Sequence, residues 1–203
     1  MANGHSVYSP HDYLSLIDAA GELPLAARRS LDQNCRYRLE SVHSVAVYTM
    51  RLGLICAERS WIVWESKFPG DSYLMDVASR TADIVIGGRG LTGEERREVG
   101  SLKTLLDNKL LLGEDLFPAV YAGFSAWAVA RDAASFSSPG GRVEVPTYEP
   151  EDSPEDWEPC FHASLAITGG AVWEGIGDPQ IRREFWVWYL TSAVPWALAE
   201  AAG

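Results

Sequence analysis

Residues 117–136 read "FPAVYAGFSAWAVARDAASF". No charged side chain occurs before Arg131, and apolar or small residues fall on almost every side of a helical projection. A helix of this kind has no polar face to turn to water, so it belongs at the centre of a bundle. The flanks agree. Upstream, Thr92-Gly93-Glu94-Glu95 has the form of a capping box, in which the hydroxyl takes a free amide and Glu95 reaches back. That helix should run to Leu112 and stop at Gly113. Downstream the character changes abruptly, and residues 137–153 form a stretch rich in proline, glycine and acids that reads as a long surface excursion.

Further out, "SVHSVAVYTMRLGLICAERS" at 41–60 is apolar on most faces between residues 45 and 57, which makes it a second interior helix. Ser9-Pro10-His11-Asp12 opens a short helix expected to reach Ala20 and to stop at Gly21. Another helix starts near Pro24 and carries "LAARRSLDQNCRYR". Phe68-Pro69-Gly70-Asp71 is a turn, with Asp71 expected to cap a helix running to about Ile86, and Gly87-Gly88-Arg89-Gly90 ends it. Two apolar helices close the chain, at Phe161–Trp173 and from Pro179 to near Ala199, with a kink or end at Pro195. No run alternates long enough to build a sheet, and no internal repeat is visible. The expectation is an all-α single domain over 1–203, a bundle of seven or eight helices with one long acidic surface loop at 137–153.

The net charge is −11, and six of the carboxylates sit in "YEPEDSPEDWEP" at 148–159. A chain of this sign repels phosphate, so direct nucleic-acid binding is not expected, and a basic protein partner is. Three cysteines without a C-x-x-C pair point to buried thiols in a reducing compartment rather than to disulfides or zinc. "MANGHSVYSP" contains no apolar segment of the signal-peptide kind, and the uncharged run "FWVWYLTSAVPWALA" is shorter than the roughly 20 residues that span a bilayer. A cytoplasmic protein with no membrane partner is the expectation. The oligomeric state stays open.

Candidate chemistry is thin. Glu40-x-x-His43 has the spacing of half a di-iron site, but such sites need the motif twice, and His162 has its acid four residues back at Glu158. Cys160, His162 and Ser164 are neighbours two apart, which face different ways on a helix. "GGRGLTGEE" at 87–95 lacks the spacing and the lysine of a phosphate loop and reads as a helix–helix connection. The aromatics Phe185, Trp188 and Tyr189 share a helical face, with Trp186 at its flank, and aromatics so spaced are core residues, leaving room for one surface anchor. No catalytic residue, metal or cofactor is assigned. Two alternatives to a binding protein are a helical enzyme centred on Glu40, His43 and Glu58, and a small-molecule module built on the tryptophan-rich last helix.

The acidic stretch has a partly structural explanation. Ser153-Pro154-Glu155-Asp156 is a helix start, and its carboxylates suit the positive end of a helix dipole. Glu149, Glu151 and Asp152 lie outside that turn, and the dipole does not require them. Trp157, ringed by acids, is either an anchor tucked into the core or an aromatic hot spot in a charged rim. The candidate partner-binding set is therefore Tyr148, Glu149, Glu151, Asp152, Glu155, Asp156, Trp157 and Glu158.

Two stretches carry a resemblance. "WIVWESKFPGDSYLMDVASRTADIV" at 61–85 and "DPQIRREFWVWYLTSAVPWAL" at 178–198 resemble the fifth family of immunity proteins from bacterial polymorphic toxin systems. "EDLFPAVYAGFSAWAVARDA" and "EDWEPCFHASLAITGGAVWE" are similar to that family's middle helices in order and character. One departure is Ser72-Tyr73-Leu74-Met75, where charged, arginine- or proline-bearing residues would be expected. The resemblance implies a non-enzymatic, Imm5-like protein that binds and silences the toxin domain encoded beside it. It brings no catalytic residues. An acidic antagonist suits a basic cognate toxin domain.

Overall fold

The computed structural model describes residues 9–136, 157–172 and 175–203, and the expected loop at 137–153 lies outside these. Among the described residues there are eight α-helices and no strand: α1 Leu25–Arg36, α2 Val42–Lys67, α3 Tyr73–Ile86, α4 Gly93–Leu110, α5 Phe117–Phe136, α6 Pro159–Thr168, α7 Pro179–Trp188 and α8 Val194–Ala202. The all-α expectation holds, with the chain folded as one helical domain.

Helix α5 is central, as its composition requires. It packs on α2, α3, α4 and α6, and a run of small buried residues from Ala119 to Ala133 lets them approach. The closest approach is at Gly123, where an added Cβ would stand 2.5 Å from Leu106 Cδ2 and 2.7 Å from Trp64 Cζ3. Helix α2, 26 residues long, runs between two apolar cores. One is shared with α3, α4 and α5, and the other with the N-terminal segment, α1, α6, α7 and α8. None of the helices among the described residues is long and apolar enough to cross a membrane.

Several local expectations are modified, among them the helix expected at Phe161–Trp173, which is α6 at Pro159–Thr168 and ends at Gly169 in the left-handed conformation. The first helix is a 3₁₀ turn at Pro10–Leu16 rather than a helix to Ala20. It stops early because Asp18 and Glu22 close a tight loop, with Asp18 N–H donating to the Glu22 carbonyl and Glu22 N–H to Asp18 Oδ1, both at 2.9 Å. Asp71 does not cap α3, which begins after Ser72. Its carbonyl instead accepts from Trp64 Nε1 at 2.7 Å and its carboxylate faces Lys109 at 3.5 Å, so the turn is tied to the core rather than to the helix it precedes. At the last helix, Pro195 neither breaks nor ends the chain's course. Lacking an N–H, it is accommodated by a π-helical segment at Tyr189–Ala193 that joins α7 to α8. On α7 and the π-helical segment after it, the buried rings are Phe185, Trp186 and Tyr189. Trp188, expected on the inner face, is half-buried, with the Arg59 guanidinium carbon 4.2 Å from its centroid.

Candidate functional site

The only members of the candidate set among the described residues are Trp157 and Glu158; Tyr148, Glu149, Glu151, Asp152, Glu155 and Asp156 lie outside them. The two described residues stand at the entry to α6, where Pro159 occupies the first helical turn with its missing N–H at no cost to the ladder. Trp157 is half-buried against the second core. Its ring centroid lies 5.0 Å from that of Phe161, edge-on, and 5.6 Å from that of His162. The indole is thus packed against the core on one side while part of it reaches solvent.

Glu158 is the N-cap residue of α6, yet its carboxylate accepts no capping hydrogen bond from the helix. It turns to Arg28 instead, with Oε2 3.4 Å from Nη2. Arg28 comes from the inner face of α1, where Ala27, Leu31 and Cys35 are its buried companions. Its Nη1 donates to the Leu23 carbonyl at 2.9 Å and faces Glu22 Oε1 at 3.4 Å. Its guanidinium carbon lies 4.2 Å from the Phe161 centroid and 5.5 Å from that of Trp186. The other oxygen of Glu22 lies 3.6 Å from Arg182 Nε. Arg182 in turn donates to the carbonyls of Ala20, Gly170 and Ile176. Four charged side chains from the N-terminal loop, α1, the α6 cap and α7 thereby form one chain of contacts, Glu158–Arg28–Glu22–Arg182. Burial raises the Glu22 carboxyl to about 7, outweighing the opposing pull of Arg28 and Arg182.

Two further ion pairs flank this entry. Arg36 holds Asp32 at 2.6 Å, and Arg131 holds Asp132 at 2.9 Å while donating from Nη2 to the Trp157 carbonyl at 3.3 Å. Burial raises the Asp32 carboxyl despite Arg36, with Glu158 and Asp132 adding to the effect. The described foot of the acidic segment is accordingly a set of paired charges and packed rings.

The other candidate groups are not brought together. Glu40 precedes Ser41, the N-cap of α2, so Glu40 and His43 do not share a helix; both are exposed, as is Glu58. Cys160, His162 and Ser164 are buried on α6. Ser164 Oγ donates to the Phe161 carbonyl at 2.8 Å, and the His162 ring stacks 5.4 Å from Phe124. Burial drives the Cys160 thiol far up, the opposite of an activated nucleophile. In the 87–95 connection, Glu95 N–H donates to Thr92 Oγ1 at 3.2 Å and Thr92 N–H to Glu95 Oε2 at 2.6 Å, the expected capping box. Those bonds to Thr92, first among the causes, lower the Glu95 carboxyl.

Sequence reading missed Arg28, Arg182 and Glu22. A signal existed for Arg28: it stands at an apolar register position of α1, and a charge there must find partners inside the protein. Nothing local marks Arg182 out from Arg183: both donate to carbonyls of the 18–22 loop, and they differ in that Arg182 is buried and Arg183 exposed.

Compared with family models, residues 14–196 match the one described as immunity protein Imm5. No curated protein matches the chain. The match takes in nearly all of both quoted stretches, the entry to α6 and all four members of the buried charge chain.

Proposed function

The chain belongs to the Imm5 family of immunity proteins, and on that premise we propose that it binds a cognate bacterial toxin domain in the cytoplasm and neutralises it by stoichiometric association, without catalysis. The docking surface is the acidic segment, with Tyr148, Glu149, Glu151, Asp152, Glu155 and Asp156 facing the toxin, Trp157 at the foot and Glu158 at its inner end. The toxin domain is basic. The family membership is the observation that carries this reading, and the crowding of six carboxylates into 148–159 supports the choice of surface. Steering between opposite charges raises association from roughly 10^5–10^6 to about 10^8 per molar per second at low salt. Tight holding then needs a few packed anchors, for which Tyr148 and Trp157 are the aromatic candidates.

The experiment pairs the purified chain with the toxin domain encoded beside it. Calorimetry should give one-to-one binding, and co-expression should protect cells. Replacing Glu149, Glu151 and Asp152 by their amides should slow association and flatten its salt dependence, with circular dichroism unchanged. Unchanged rates with a basic toxin would remove this segment as the docking surface. Turnover of a substrate by the purified chain alone would remove the non-catalytic reading.

A further inference from the structure

Helix α2 buries side chains toward both apolar cores, and its outer strip at Glu58, Ile62 and Glu65 is left exposed. Ile62 is 73% exposed there. Folding does not explain it, since a β-branched side chain slightly disfavours the helix and one left in water gains nothing from burial. A scattered exposed isoleucine would call for no explanation, but this one is not isolated. Arg59, one turn before it, has its guanidinium carbon 4.2 Å from the Trp188 centroid, which brings α7 alongside. Trp188 is half-buried and Val187 is 38% exposed, so apolar surface continues from α2 onto α7.

Carboxylates rim this patch. Glu58 and Glu65 stand on either side of Ile62, at the helical spacings that make side chains neighbours. Glu184 stands one turn before Trp188, and the hydrogen bond it accepts from Gln180 Nε2 at 3.1 Å leaves its charge in place. The cations nearby are engaged: Arg59 lies on the indole, Lys67 faces Asp115 at 3.6 Å, and Arg183 donates to the Asp18 carbonyl. An apolar centre that includes tryptophan, within a charged rim, is the anatomy of a protein-binding surface.

We infer that the face formed by Ile62 of α2 with Val187 and Trp188 of α7, rimmed by Glu58, Glu65 and Glu184, is a contact surface for the toxin domain, which presents to it an apolar socket bordered by lysine or arginine. The negative rim favours a cationic partner over a second copy of this acidic chain, in which rim would meet rim. The inference rests on the reading that the chain binds a toxin, and it does not need the acidic segment to take part.

The test replaces Ile62 in both senses of charge, Ile62→Arg and Ile62→Glu, beside Ile62→Ala, and measures rates against the toxin domain encoded beside the chain. Because Ile62 is exposed, all three variants should melt with the parent. Ile62→Ala should speed dissociation about tenfold and leave association unchanged. Ile62→Arg should also slow association about fivefold at low salt, and Ile62→Glu should not. That asymmetry is decisive, because lost packing alone treats the two charges alike. Equal association rates for the Arg and Glu variants would overturn the cationic partner, and an unchanged dissociation rate for Ile62→Ala would overturn the contact. If gel filtration shows the parent as a dimer and Ile62→Arg as a monomer that still binds toxin like the parent, a second copy covers this face and the inference fails. Should the Ile62 variants melt lower, the double variant Glu58→Gln with Glu65→Gln decides, and association as fast as the parent's would overturn the inference. If the Ile62 variants bind like the parent while the amide variant of Glu149, Glu151 and Asp152 weakens binding, the inference fails and the acidic docking segment stands. The reverse pattern upholds the inference and removes the segment. A parent that does not bind the toxin domain overturns both.

Discussion

Arg28 and Glu158 lie 130 positions apart in the chain and meet at 3.4 Å, with Arg28 at the same time 4.2 Å from the ring centroid of Phe161, one helical turn beyond its partner. That contact joins α1 to the start of α6, and through Glu22 and Arg182 it continues to α7. It ties together parts of the second core that no covalent proximity relates.

Removing the charge of Arg28 should therefore be costly. Arg28→Met is expected to destabilise the fold by about 3 kcal/mol, since it strands Glu22 and Glu158 with fewer partners and leaves the Leu23 carbonyl without its donor. Arg28→Lys should recover part of this. Urea unfolding of the variants measures the difference, and a loss below about 0.5 kcal/mol for Arg28→Met, the range of ordinary surface changes, would contradict the assignment.

Glu22 should give the protein a distinctive pH dependence. Its carboxyl is raised from 4.5 to about 7 in the fold, so between those values the folded state holds a proton that the unfolded chain has released. Its contribution to stability is then fully present below about pH 4.5 and is lost as pH rises through about 7, an effect of up to about 3 kcal/mol. Glu22→Gln, which cannot ionise, should abolish this component. Measured from pH 4.5 to 8, the stability of the parent relative to Glu22→Gln should fall. A flat difference, or a rise, would contradict a raised Glu22 carboxyl.

Gly123 is a steric requirement of the central helix rather than a backbone one. Gly123→Ala places a methyl 2.5 Å from Leu106 Cδ2 and 2.7 Å from Trp64 Cζ3, in a core where both side chains are fully buried. A loss of about 1–3 kcal/mol is expected, despite alanine's better helix propensity. A thermal melt reads it directly, and a gain in stability would show that α4 can move away from α5.

The three thiols should be silent in the native protein. Cys35, Cys56 and Cys160 are buried, and burial raises all three thiols, that of Cys35 to about 11. Labelling with a soluble disulfide reagent at neutral pH should report almost no reactive thiol until denaturant is added, and then all of Cys35, Cys56 and Cys160. Rapid labelling of the folded protein would show that the second core opens.

The division between sequence and tertiary structure is clear at particular residues. The apolar run from Ala119 to Ala130 could only be an interior helix, because its backbone needs hydrogen bonds and its side chains offer no polar face. Thr92 and Glu95 marked a helix start because that bond pattern is closed within four residues. Such features depend on neighbours in the chain, and they are legible without coordinates. The role of Glu158 was not: nothing in its neighbours marks it as the partner of Arg28, which reaches it from α1 across 130 positions of chain. The same holds for Arg182 against Arg183, and for Trp186 buried in place of Trp188. Local chemistry determines which segments are helices. Which face each helix buries, and which charge finds a partner, depends on distances between segments far apart in sequence, and those exist only once the bundle has formed.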